Sequence, residues 1–158
     1  EFLPPSSPVA TDPPIYILLG KGFPEPGIHQ IPDGISPGCV IKMAFPGVSF
    51  EPLAITRTTS SLSSGEALDV VLEGSQLVEI KRYWMPAGMR MTLAVPLHPD
   101  RMDEDDWEAL PGIGKELARR IEEDRQINGD FGFLRALARV RGIGDGLISR
   151  LEPFFEEG

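Results

Sequence analysis

The chain has 158 residues, 41% of them hydrophobic and 25% charged, enough for one or two small cores and too few for a large multidomain enzyme. Its 24 acidic and 15 basic residues leave a formal charge of −9, which repels polyanions at long range and excludes attachment to nucleic acid through bulk positive charge. The single cysteine, Cys39, excludes an internal disulfide, and no apolar run is long enough to span a membrane.

The first fourteen residues, "EFLPPSSPVATDPP", hold five prolines, a composition that favours an extended polyproline II spacer over a packed element. We take residues 1–14 as a linker. A leader or membrane anchor upstream of Glu1 and an ordinary frayed terminus both remain open as its origin.

Residues 15–99 form the first expected domain. "IYILLG", "GIHQI", "ALDVVL" and "QLVEIK" are β-branched or alternating runs separated by Gly, Pro and Ser, the pattern of short strands and turns. In "PAGMRMTLA" a proline at position 86 stands where a first-turn proline belongs, so a short added helix is expected there. "VPLHPDRM" then reads as an extended connection, with the domain boundary at 99/100.

Residues 100–158 change character to charged amphipathic helices. Asp103 and Asp106 have the spacing of a capping box, with an acidic first turn that complements the helix dipole. Further helices are expected over 115–127, 133–140 and 145–155, and "NGDFG" supplies Asn128 and Gly129 to close the first of these. A displacement of thirty residues lays Trp107 on Leu137, Leu110 on Val140, Ile113 on Ile143, Leu117 on Leu147 and Ile121 on Leu151. Apolar positions that match throughout predict an internal repeat, packed about an approximate two-fold axis.

Each repeat carries the same turn, Gly112-Ile113-Gly114 and Gly142-Ile143-Gly144. Glycine permits positive φ and close approach of another group, while the isoleucine anchors the loop. Because the second glycine precedes a helix, the free N–H groups of the loop and first helical turn point outward together and suit a phosphate. Two such pockets could hold phosphates on both strands of a duplex without reading bases.

"LPGIGKELARRI", "NGDF" and "VRGIGDGLISRL" together resemble the tandem helix-hairpin-helix domain of the competence DNA receptor (ComEA-like) family, over about a third of the chain. The resemblance implies phosphate contacts from Gly112, Ile113, Gly114 and Lys115 in the first hairpin and from Gly142, Ile143 and Gly144 in the second, with Arg119 and Arg141 flanking. "ILLGKGFPEPGIHQIPDG" is similar to the opening of soluble-ligand-binding β-grasp domains, although "SPGCVIKMAFPG" is a poor match to the helix such a domain would have next. The expected fold class is therefore α+β: a small β-rich, β-grasp-like domain followed by an all-α tandem helix-hairpin-helix domain. The resemblance also implies an exported placement, periplasmic or membrane-anchored, with no membrane contact by these residues themselves.

Two departures stand against that pattern. Residues 103–158 hold 14 acidic and 8 basic side chains, a net of −6, and Asp145 occupies the place of Lys115 in the second repeat. Two functions are therefore carried forward: weak, non-sequence-specific binding of double-stranded DNA, or a protein-interaction module in which the hairpins only pack and the β-rich domain meets a protein partner. No catalytic, cofactor or metal site is expected. "GKG" at 20–22 lacks the rest of a P-loop, His29 and His98 have no recognisable triad partners, and Asp130, spaced like a glycosylase aspartate, has no base pocket around it.

Overall fold

The computed structural model describes residues 12–50 and 58–156, so the expected linker lies almost wholly outside the described residues. The protein is mixed α+β, with a five-stranded sheet in the N-terminal part and helices in the C-terminal part. Contacts divide it into Glu1–Tyr83 and Trp84–Gly158.

In the first unit the strands are β1 (Ile15–Leu19), β2 (Gly27–Ile31), β3 (Ser49–Phe50), β4 (Glu66–Glu73) and β5 (Gln76–Trp84, whose last residue opens the second unit), in the order β2-β1-β4-β5-β3. β1 pairs antiparallel with β2 and parallel with β4. Alternation along β1 buries Ile15, Ile17 and Leu19 against Val40 and Ile41 of helix α1 (Pro37–Ala44). That helix forms across the stretch whose sequence is a poor helix. Ser36 Oγ accepts the Cys39 N–H at 3.3 Å, Pro37 takes the first turn, and the bare Gly38 lets the backbone reach the Thr58 carbonyl at 3.0 Å. Cap and tertiary contact thus override weak propensity.

The second unit begins earlier than the boundary read from the sequence. Helix α2 (Ala87–Thr92) is a separate short element, but Ala87, Leu97 and Met102 belong to the helical core with Trp107, Leu137 and Leu151. One carboxylate accounts for much of this. Asp106 completes the capping box of α3 (Glu104–Glu108) with Asp103, and its Oδ1 also accepts the Ala87 N–H at 2.8 Å. Its Oδ2 pairs with the buried Arg90 at 3.4 Å. The expected cap is therefore also the joint that brings α2 into this unit.

Helix α4 (Lys115–Asn128) ends where Gly129 takes φ +84°. Asp100 then accepts the N–H groups of Phe131 and Gly132 at 2.7 and 2.9 Å, fixing the entry to the second repeat. There the expected helix over 133–140 is a 3₁₀ segment, Leu134–Arg139. The stretch expected as a helix over 145–155 is helix α5 (Asp145–Leu151) followed by a 3₁₀ turn, Glu152–Phe154. Short apolar runs fit a three-residue period as well as a 3.6-residue one, so the pattern did not distinguish them. Trp107 stacks on Phe155 with ring centroids 5.9 Å apart, and Leu97 bridges to Phe155, which ties the end of the unit to its beginning.

Candidate nucleic-acid interface

The two glycine turns are built alike. Ile113 N–H donates to Leu110 O at 3.3 Å and Ile143 N–H to Val140 O at 3.1 Å, while Ala118 and Ile148 donate to the carbonyls of Gly114 and Gly144 at 3.0 and 3.1 Å. Ile113 and Ile143 are buried, so each turn is held down by its isoleucine and leaves its glycines at the surface.

The paired glycines of each turn have different duties. Gly112 and Gly142 have φ of +86° and +98°, and a methyl added to them would lie 2.8 Å from Leu147 Cδ1 and 2.9 Å from Leu117 Cδ2, respectively. What comes close to these glycines is thus a leucine of the other repeat. Gly114 and Gly144 are different. Their backbone is extended, with φ of −95° and −112°, and an added methyl at either would meet nothing within 4 Å. Neither strain nor packing calls for glycine there. Neither caps its helix with a side chain, which leaves the first N–H groups of α4 and α5 without that partner.

Charge is distributed unevenly over this acidic unit. Arg90 pairs with Asp106, Arg101 with Glu156, Arg125 with Glu122, Arg135 with Glu152 and Arg139 with Asp124. Arg119, expected to flank the first turn, is held on its own helix by Glu116 at 2.8 Å and by Glu123. Arg119 in turn keeps the Glu116 carboxyl below the usual carboxylate range, first through this hydrogen bond and then through its charge. Arg120 Nε lies 3.3 Å from the same Glu116. Among the described residues, the basic side chains of this unit with no acidic partner are Lys115, Arg141 and Arg150, all exposed and all at the glycine turns.

Arg150 was not singled out in the sequence. It is the repeat equivalent of Arg120, and its guanidinium carbon would stand 3.9 Å from a methyl on Gly112. The thirty-residue overlay held that signal, since it aligns "LARR" with "LISR". Of the expected contact residues, Gly112, Gly114 and Lys115 share one exposed turn and Arg141, Gly142 and Gly144 the other; Ile113 and Ile143 point into the core. Asp145 is exposed beside Gly144.

Elsewhere the singled-out residues have local structural roles. Gly20 and Gly22 wrap β4 so closely that a methyl would fall 2.0 Å from Asp69 Oδ1 and 2.1 Å from Val70 O. His29 Nε2 lies 2.8 Å from Glu25 O, and His98 Nδ1 accepts the Asp100 N–H at 3.1 Å.

No curated protein matches the chain. Residues 103–156, about a third of its length, match the family model described as the helix-hairpin-helix motif, which is generally associated with non-sequence-specific DNA binding.

Proposed function

We propose that the helical unit is a tandem helix-hairpin-helix module that binds double-stranded DNA through its phosphates, without sequence preference, as DNA-uptake receptors do. One observation carries the reading: in a unit of net negative charge, the cations left without an acidic partner gather at the two glycine turns. Local charge there offsets the repulsion that the total charge implies, because screening confines each charge to about 10 Å at 0.1 M salt. Gly114 adds backbone N–H groups with no side chain in front of them. The contact set remains Gly112, Gly114 and Lys115 with Arg141, Gly142 and Gly144, the two isoleucines acting as anchors and Arg119 as a helix-surface ion pair.

The first unit is read as β-grasp-like on the β1–β2 hairpin, the helix α1 that follows it and the parallel β1–β4 pair. Export of the chain belongs to the same reading and is supported by the uptake-receptor resemblance. The test is fluorescence anisotropy of a short labelled duplex across about 50 to 200 mM salt, with a single strand of the same sequence as competitor. Two or three phosphate contacts give a log–log slope of about −2 to −3 and indifference to sequence. No binding at low salt refutes the reading.

A further inference from the structure

The two helices of the repeat cross over each other's turns, and this assigns the cations differently from their order in the chain. Leu117 and Arg120, three apart on α4, both lie against Gly142; Leu147 and Arg150, three apart on α5, both lie against Gly112. The two arginines are equivalent in position and unlike in charge environment. Arg120 Nη1 donates to Arg141 O at 3.2 Å, and its Nε pairs with Glu116. Thirty residues on from Glu116 stands Gly146, which has no carboxylate to offer, and Arg150 has no acidic partner among the described residues.

The geometry points to Arg150, a residue of the second repeat, as the second phosphate-binding cation of the first turn, working beside Lys115. This rests on the phosphate-binding reading above and makes its site a joint product of both repeats. Turn one then presents Lys115 and Arg150, both unneutralised. Turn two presents Arg141, an Arg120 already satisfied by Glu116 and a carbonyl, and the opposing charge of Asp145. Arg120 is a strut at turn two, and Gly146 is the position that keeps Arg150 available.

The experiment titrates a short labelled duplex with the full chain at about 50 and 200 mM salt, where one phosphate contact contributes about 3.5-fold to the ratio of affinities. Arg150→Gln is expected to lower that ratio by about 3.5-fold, as Lys115→Gln does, whereas Arg135→Gln, an equal charge change at a residue paired with Glu152, leaves it unchanged. Gly146 is exposed, and an added methyl there meets nothing within 4 Å, so substitutions are tolerated and raise helix propensity. Gly146→Glu should pair with Arg150 at i, i+4 and reproduce the Arg150→Gln loss; Gly146→Ala should bind as wild type. In an Arg150→Gln background, Gly146→Glu should have little left to remove.

If Lys115→Gln loses its contact while Arg150→Gln binds like Arg135→Gln, the crossed assignment is wrong and the phosphate-binding reading survives. An equal loss from Gly146→Glu with and without Arg150 also overturns the assignment, since the effect would then be general repulsion. A wild-type chain that binds no duplex overturns both readings together.

Discussion

Gly112→Ala and Gly142→Ala should damage the helical unit about equally, because the same fault is introduced twice. Each alanine is forced into the left-handed region, at a cost of about 1 to 2 kcal/mol. Each methyl also intrudes on a leucine of the other repeat at 2.8 or 2.9 Å, and overpacking of that kind costs about 1 to 3 kcal/mol. The sum, about 2 to 5 kcal/mol apiece, is a large part of the stability of a small domain. Urea unfolding followed by tryptophan fluorescence reads the effect through Trp107, which lies in the helical core and is only 1% exposed, whereas Trp84 ends strand β5. Gly114→Ala is the internal control: its φ is ordinary and its methyl has open space, so it should lose only the roughly 0.5 to 1 kcal/mol that alanine costs in place of glycine at a helix N-cap. A second check is a cycle with Leu147→Ala, which should recover part of the Gly112→Ala loss and give a coupling of about 1 kcal/mol or more. If either turn mutant stays within about 0.5 kcal/mol of wild type, or Gly114→Ala is as damaging as they are, the crossed-packing argument fails.

Gly114→Val should cost about 1 kcal/mol as a poor N-cap but leave the unit folded, because an extended φ suits a β-branched residue, while shielding the first N–H groups of α4 and weakening duplex binding in the anisotropy titration. Asp145→Lys replaces a repelling charge beside turn two; the salt slope should steepen by about one, and an unchanged slope would show that this turn never meets a phosphate. In the first unit, burial and then the hydrogen bond to Asp69 push the Tyr83 phenol up to about 12. The protonated phenol is thus favoured in the folded state, and its stabilisation is intact below the unfolded value near 10 and lost as pH rises from there to about 12. Ultraviolet titration of tyrosinate should find Tyr83 ionising earlier in Asp69→Asn.

The parts of this molecule legible in its sequence were those written in local repetition. The thirty-residue register of Trp107, Leu110, Ile113, Leu117 and Ile121 on their counterparts located both turns, and every member of that set is buried or half-buried. The capping box of Asp103 and Asp106 was legible because both partners lie within one turn of helix. What Asp106 does at a distance was not: its bonds to Ala87 and Arg90 cross up to nineteen residues that carry no periodic signal, and they decide which unit α2 joins. Helix α1 was obscured by Pro37 and Gly38, poor residues by propensity that serve a cap and a close approach to Thr58. At the candidate site the glycines and Lys115 were legible and the electrostatics were not. Counting charges over residues 103–158 gave repulsion, whereas ion pairing on the folded surface ties up most of the arginines and leaves Lys115, Arg141 and Arg150 without an ion-pair partner at the turns.

The seating of Leu117 on Gly142 and Leu147 on Gly112 makes the repeats interlocking parts with one peg and one notch each. A peg finds a notch only on the other copy, so neither half can be altered at this joint without an answering change in its fellow. A lone repeat with both features would offer the same patch for giving and receiving, which is the self-complementarity that closes an isologous homodimer. In this chain both repeats lie in one polypeptide, joined through residues 129–133, and peg and notch meet within it. Two repeats within one chain need not be identical: Lys115 against Asp145 and Glu116 against Gly146 are differences that identical subunits could never hold.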